Sequence, residues 1–133
     1  MNSNMDTPQE ELLLQLLAKE RGYYQTVLDI AREENSRLLA QCALADLQPL
    51  LKQKQIVLSC IQSIDHALTP LKRYWQSKKD RTDPLSTRIQ EELGSLNILL
   101  SDILRTDLSS QKFAERHLAD LKQRCSDRLE QSP

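Results

Sequence analysis

Apolar residues return every third or fourth position along most of this chain, the spacing of one face of an α-helix rather than of a strand. The first stripe runs Leu14, Leu17, Arg21, Tyr24, Leu28, Ala31, Asn35, Leu38, Cys42, a heptad-like alternation of steps of three and four. The second reads Leu47, Leu50, Lys54, Val57, Ile61, Ile64, Leu68, Leu71, Trp75. A third takes in Leu85, Ile89, Leu93, Leu96, Leu100, Ile103 and Leu104, falters, and resumes weakly with Phe113, Leu118, Leu121, Cys125 and Leu129.

Punctuation divides the stripes into three helices. Thr7 suits an N-cap, with Pro8 at the first helical position and Glu10 closing a capping box, so helix one is expected over about 8–42. Asp46 as N-cap, with Pro49 in the first turn, predicts helix two over about 46–79. Asp83 followed by Pro84 predicts helix three over about 84–130. Pro70 lies inside the second stripe, where a proline costs about 3 kcal/mol, so a kink or short break is expected at 67–70. Asp107, Ser109 and Ser110 compete with the backbone for hydrogen bonds, which marks 106–110 as the place for a break in helix three. Long helices with short connections predict an all-α protein: one domain over 1–133, an elongated antiparallel three-helix bundle or coiled coil.

Composition supports that fold and narrows the chemistry. Two glycines and five prolines in 133 residues are too few to punctuate a sheet. Eighteen basic against nineteen acidic residues give a net charge of -1, without the basic excess of a phosphate-binding surface, and aromatics at 4% are too sparse to stack on bases. No nucleic-acid partner is expected. The opening "MNSNMDTPQEE" lacks the basic and apolar regions of a secretory signal, and no apolar run approaches the roughly 18 residues that span a bilayer. A cytoplasmic protein without membrane insertion is expected. The odd set Cys42, Cys60 and Cys125 reads as small core residues in a reducing compartment.

The residues offer little for catalysis. His66 and His117 fall on different helices with no metal-spaced cluster around them, and Gly22 and Gly94 stand singly, so no metal, cofactor or catalytic residue is expected. "HALTPLK" at 66–72 faintly resembles the phosphoacceptor segment of histidine phosphotransfer domains, but Thr69 and Pro70 occupy the decisive positions. Lys54 interrupts the second apolar seam. In a slender bundle its stem is expected to lie along the interface while its charge snorkels to water. Arg21 and Asn35, two heptads apart, can fix alignment between helices.

Two features exceed what a simple bundle needs. "LLLQLL" at 12–17 covers more of the helix circumference than one contact stripe; either helix one lies between two neighbours, or the patch is a partner or dimer surface. The segment from Lys112 to Leu129 has an apolar face but little core, which suits the end of helix three packed on helix one or a movable amphipathic helix that engages another helix.

The stretch from Leu16 to Ile64, "LLAKERGYYQ…LSCIQSI", resembles the FlgN-type flagellar export chaperones, through Glu20, Leu28, Glu34, Leu38, Asp46, Leu50, Leu51, Lys54 and Leu58. "LGSLNILLSDIL" is similar to their third helix, with Asn97 in place and Gly94 where a second Asn is often found. The likeness covers about 12–104. It implies a cytosolic chaperone that masks the amphipathic helical terminus of flagellar hook-associated proteins and hands them to the type III export apparatus, as a monomer or weak homodimer. It also implies substrate contact through the C-terminal segment, here Phe113, Leu118, Leu121, Cys125 and Leu129. The competing expectation is a coiled-coil adaptor subunit of a larger assembly, with "LLLQLL" as a permanent interface.

Overall fold

The computed structural model describes residues 3–78 and 80–130; the side chains of 3–7, 113, 117, 121 and 128–130 lie outside that description. Three helices account for almost all of it: α1 (Ser3–Leu39), α2 (Leu44–Gln76) and α3 (Pro84–Glu130). No strand occurs among the described residues. The expected all-α bundle is the fold.

Helix α1 is the central element. It packs against both α2 and α3, whereas no Cα of α2 comes within 8 Å of one in α3 among the described residues. Cross-links set the directions. Arg21 pairs with Glu92 at 3.1 Å and the Ser110 hydroxyl donates to Asn35 at 3.2 Å, so α1 and α3 run parallel. Lys54 meets Asp107, and the Trp75 indole N–H donates to Ser86 at 3.1 Å, so α2 runs against α3. Arg21 and Asn35, polar residues in an apolar seam, thus fix the α1–α3 register.

The central position of α1 explains "LLLQLL". Leu13 and Leu17 are fully buried, Leu14 and Leu16 pack beside them, and only Leu12 is left substantially exposed. The patch is mostly core.

That core thins along the bundle. At one end Leu13 and Leu17 of α1 meet Ile64, Leu68 and Trp75 of α2 and Ile89 and Leu96 of α3. The middle holds Val27, Leu28, Ile61 and Ile103. The far end has only Ile30, Leu47 and Leu50, from α1 and α2 alone. There α3 contributes no buried apolar side chain among the described residues.

Several boundaries differ from expectation, each for a local reason. Helix α1 begins at Ser3, so Pro8 lies inside it and Thr7 is not its cap. Glu10 is buried and bonds Lys78 instead of closing a capping box. The helix stops at Leu39 rather than 42. Gln41 adopts φ 56°, Cys42 N–H bonds the Arg37 carbonyl and Gln41 N–H bonds that of Leu38, the two bonds of a Schellman stop built without glycine. Helix α2 starts at Leu44 after Ala43, whose side chain caps nothing, and Asp46 sits inside the first turn. No break occurs at Pro70: Ile64 and Leu68 before it and Trp75 after it are all buried on one seam, and the helix is continuous to Gln76.

Nor is α3 interrupted at 106–110. The polar groups that could recap it are engaged otherwise: Thr106 bonds the Asp102 carbonyl, Asp107 meets Lys54 and Ser110 meets Asn35. Only the start of α3 follows the expected capping. Asp83 accepts a bond from the Ser86 N–H at 3.3 Å, with Pro84 as first helical residue.

Candidate partner-binding surface

Helix α3 outlasts its neighbours. The last described tie between α1 and α3 is at Ser110, and α1 stops at Leu39. Helix α3 continues for some twenty residues, on the order of 30 Å. Every side chain described from Ala114 to Asp127 is exposed. Local pairs one turn apart support this length: Gln111 with Glu115, Arg124 with Asp120 at 3.0 Å, and Gln123 with Asp127. Each contributes about 0.2–0.5 kcal/mol, and a lone helix this short is marginal in water.

Of the five residues expected to contact a partner, Leu118 is half exposed and Cys125 is an exposed free thiol. The side chains of Phe113, Leu121 and Leu129 lie outside the described residues. Helical spacing sets positions 118, 121, 125 and 129 along one face and 113 about a third of a turn away. The cysteines depart from expectation: Cys42 and Cys60 are only half buried, and Cys125 lies on the unaccompanied end, where no core exists to receive it.

Three ionic clusters tie the helices together. Lys54 does not snorkel freely to water. Its ammonium lies 3.3 Å from Asp107 and 3.8 Å from Glu34, joining all three helices at the end where apolar packing is thinnest. Burial raises the Glu34 carboxyl above its ordinary range, partly opposed by Lys54. At the opposite end Lys78 bridges Glu10 and Asp83, and the bond to Glu10 raises its pKa. Asp83 is held down to about 2, chiefly by its hydrogen bonding to Ser86.

The third cluster is the least expected. Glu20 is 3% exposed, and one of its carboxyl oxygens has no hydrogen-bond partner. Burial chiefly, and then contact with the Asp65 carboxyl, raise its pKa to about 8 against the opposing charge of Lys72. Tyr24 is pushed upward too, by burial and by the same two carboxyls. Glu20 was legible as part of a family-like pattern but not as buried, because it falls beside the apolar stripe rather than on it.

No group of three or more His, Cys, Asp or Glu among the described residues could hold a metal ion. His66 is exposed on the outer side of α2. The depressions between helices are open grooves, one of them along Ala18, Gly22 and Ile98, another along Ile30, Leu50 and Ile56. No helix among the described residues is long and apolar enough to cross a membrane. The arrangement suits contact with another chain. No protein-family model, curated protein or solved structure matches the chain.

Proposed function

We propose that this protein is a cytosolic chaperone of the FlgN type, masking the amphipathic helical terminus of a flagellar hook-associated protein and delivering it to the type III export apparatus. The observation that carries the reading is the unaccompanied end of α3. A helix that extends past its bundle with Leu118 and Cys125 exposed offers an apolar strip to a second helix. The resemblance of 12–104 to that family, through Glu34, Lys54 and Asn97 among others, supplies the identity of the partner.

A terminus that orders only on assembly is open to proteolysis and self-association beforehand, and a temporary helical partner suppresses both. Release at the export gate requires modest affinity, micromolar and about -8 kcal/mol, with part of the gross contact energy offset by ordering of the bound segment. The adaptor alternative loses its main support, since "LLLQLL" is largely buried within the chain itself.

The test is truncation after Lys112, which keeps every described tie of α3 to α1 and α2. The shortened chain should remain a helical bundle by circular dichroism yet lose co-purification with the terminal segment of a hook-associated protein. Undiminished binding refutes the proposal.

A further inference from the structure

Helix α2 is fastened near both ends and held more loosely between them. Near its start Lys54 lies 3.3 Å from Asp107 and 3.8 Å from Glu34. Just past its end Lys78 bridges Glu10 and Asp83, with the Trp75–Ser86 bond beside it. Between these ties no Cα of α2 comes within 8 Å of one in α3 among the described residues, so the seam with α1 holds this stretch. The seam is apolar at Ile61, Ile64 and Leu68, except where Glu20 enters it. Glu20 is buried, meets the Asp65 carboxyl across the interface, and has one oxygen without a hydrogen-bond partner. Two carboxyls share a hydrogen bond only while one of them holds a proton. Once both are ionised, repulsion replaces the bond at a side chain closed off from water.

The groups around Glu20 do not relieve that repulsion. Tyr24, on α1 itself, brings no positive charge, and Lys72 of α2 counts for less than Asp65. No group of α3 acts on Glu20 among the described residues, and Glu92, at this level of α3, is taken by Arg21 at 3.1 Å. A flexing point lies close by. Pro70 has no N–H for the His66 carbonyl, and the Thr69 hydroxyl donates to the Asp65 carbonyl at 2.8 Å, so the helix is weakest just beside the carboxyl pair. We infer that α2 between Lys54 and Lys78 is a proton-operated bow, which lies straight on α1 while Glu20 is protonated and bends outward at Pro70 when Glu20 ionises.

The ends stay fastened through the same change. Burial raises the Glu34 carboxyl, so it too ionises as pH rises and holds Lys54 more firmly, while Lys78 stays charged because its pKa is raised. The α1–α3 seam keeps Arg21–Glu92 and Asn35–Ser110 and takes no part. With the Glu20 pKa at about 8 in the straight form, the change is centred at or below about pH 8. A kink of about 20° acting over about ten residues, about 15 Å of helix, moves α2 outward by about 5 Å. The device belongs to the body of the bundle and does not rest on the chaperone reading, whose site is the end of α3.

Electron–electron distances between nitroxide labels read the bow directly, on the full chain with Cys42, Cys60 and Cys125 replaced by serine. One pair sits at Lys19→Cys and Ala67→Cys, exposed positions on α1 and α2 near the level of the carboxyls. A control pair at Lys19→Cys and Glu91→Cys spans α1 and α3. From about pH 6 to about pH 9 the first distance should lengthen by about 5 Å while the second stays constant. Adding Glu20→Gln should hold the first distance constant across the range. Asp65→Asn, which replaces the repelling carboxylate by an amide donor, should do the same. Pro70→Ala should cut the lengthening by at least about half. Three results overturn the inference: no lengthening in the parent chain, lengthening of both pairs together, or an undiminished change in Glu20→Gln. An undiminished change in Asp65→Asn overturns it too, because burial alone then moves the helix, and so does one in Pro70→Ala, because the bend then lies elsewhere.

Discussion

Replacing Glu20 by Gln should abolish a pH dependence that this bundle carries in its core. In the folded chain the Glu20 carboxyl is buried beside Asp65 and its pKa stands at about 8, against an ordinary 4.5. The folded state therefore holds a proton that the unfolded chain releases. Stability from this group is fully present at or below about pH 4.5, declines steadily toward pH 8 and levels off above it. At about 1.4 kcal/mol per tenfold, the decline amounts to roughly 3–5 kcal/mol, a large share of a small domain's total. Gln keeps the size and can still donate to Asp65, but it cannot ionise. Urea denaturation followed by circular dichroism between pH 5 and pH 9 measures the difference. The two proteins should agree within about 1 kcal/mol at pH 5, and E20Q should be more stable by several kcal/mol at pH 8.5. Glu34, raised in the same direction, is common to both and cancels; Lys78, raised above 10.5, keeps its contribution through this range. Parallel stability curves would show that Glu20 is ionised in the folded state and refute the reasoning.

Other perturbations test the packing separately. Gln41→Gly should stabilise the chain by about 1 kcal/mol by relieving a left-handed backbone conformation, read as a higher urea midpoint at unchanged slope. Lys54→Met removes the cation shared by Glu34 and Asp107, and should cost about 1–3 kcal/mol at pH 7, less at pH 5 as Glu34 takes up a proton; a loss independent of pH contradicts the assignment. Asp83→Ala uncaps α3 and removes one carboxylate partner of Lys78, for a loss of about 1–2 kcal/mol in the same assay. Leu68→Ala, at a fully buried position where all three helices contribute, should cost about 2–5 kcal/mol.

The three seams were legible because heptad spacing survives in the sequence wherever a helix faces one neighbour, and Leu17, Leu28, Ile61, Leu68 and Ile89 are all buried. The start of α3 was legible because Asp83-Pro84 is a local signal that the structure uses locally. The misplaced features depend on contacts distant in sequence. Gln41 stops α1 without the glycine that announces such a stop, and the short break allowed for at Pro70 is absent, the helix running on with buried residues on both sides of it. The polar run Thr106, Asp107 and Ser110 looks like a break until Lys54 and Asn35 occupy it from the other helices. For the same reason the charge of Lys54 was expected in water and lies between two carboxylates. The candidate site was legible as an apolar face with too little core, but sequence alone left open whether helix one covers it. Length decides most of it: α1 ends at Leu39, and no described side chain ties α3 to another helix beyond Ser110.

Hydrogen exchange measured by mass spectrometry, on the full chain free and bound to the terminal segment of a hook-associated protein, tests the partner-binding end of α3 most directly. Amides of 115–130 should exchange nearly as fast as an unfolded peptide in the free protein, while 13–31, 61–75 and 89–103 stay protected, and 115–130 should become protected in the complex. Strong protection of 115–130 in the free chain, or none gained on binding, contradicts it.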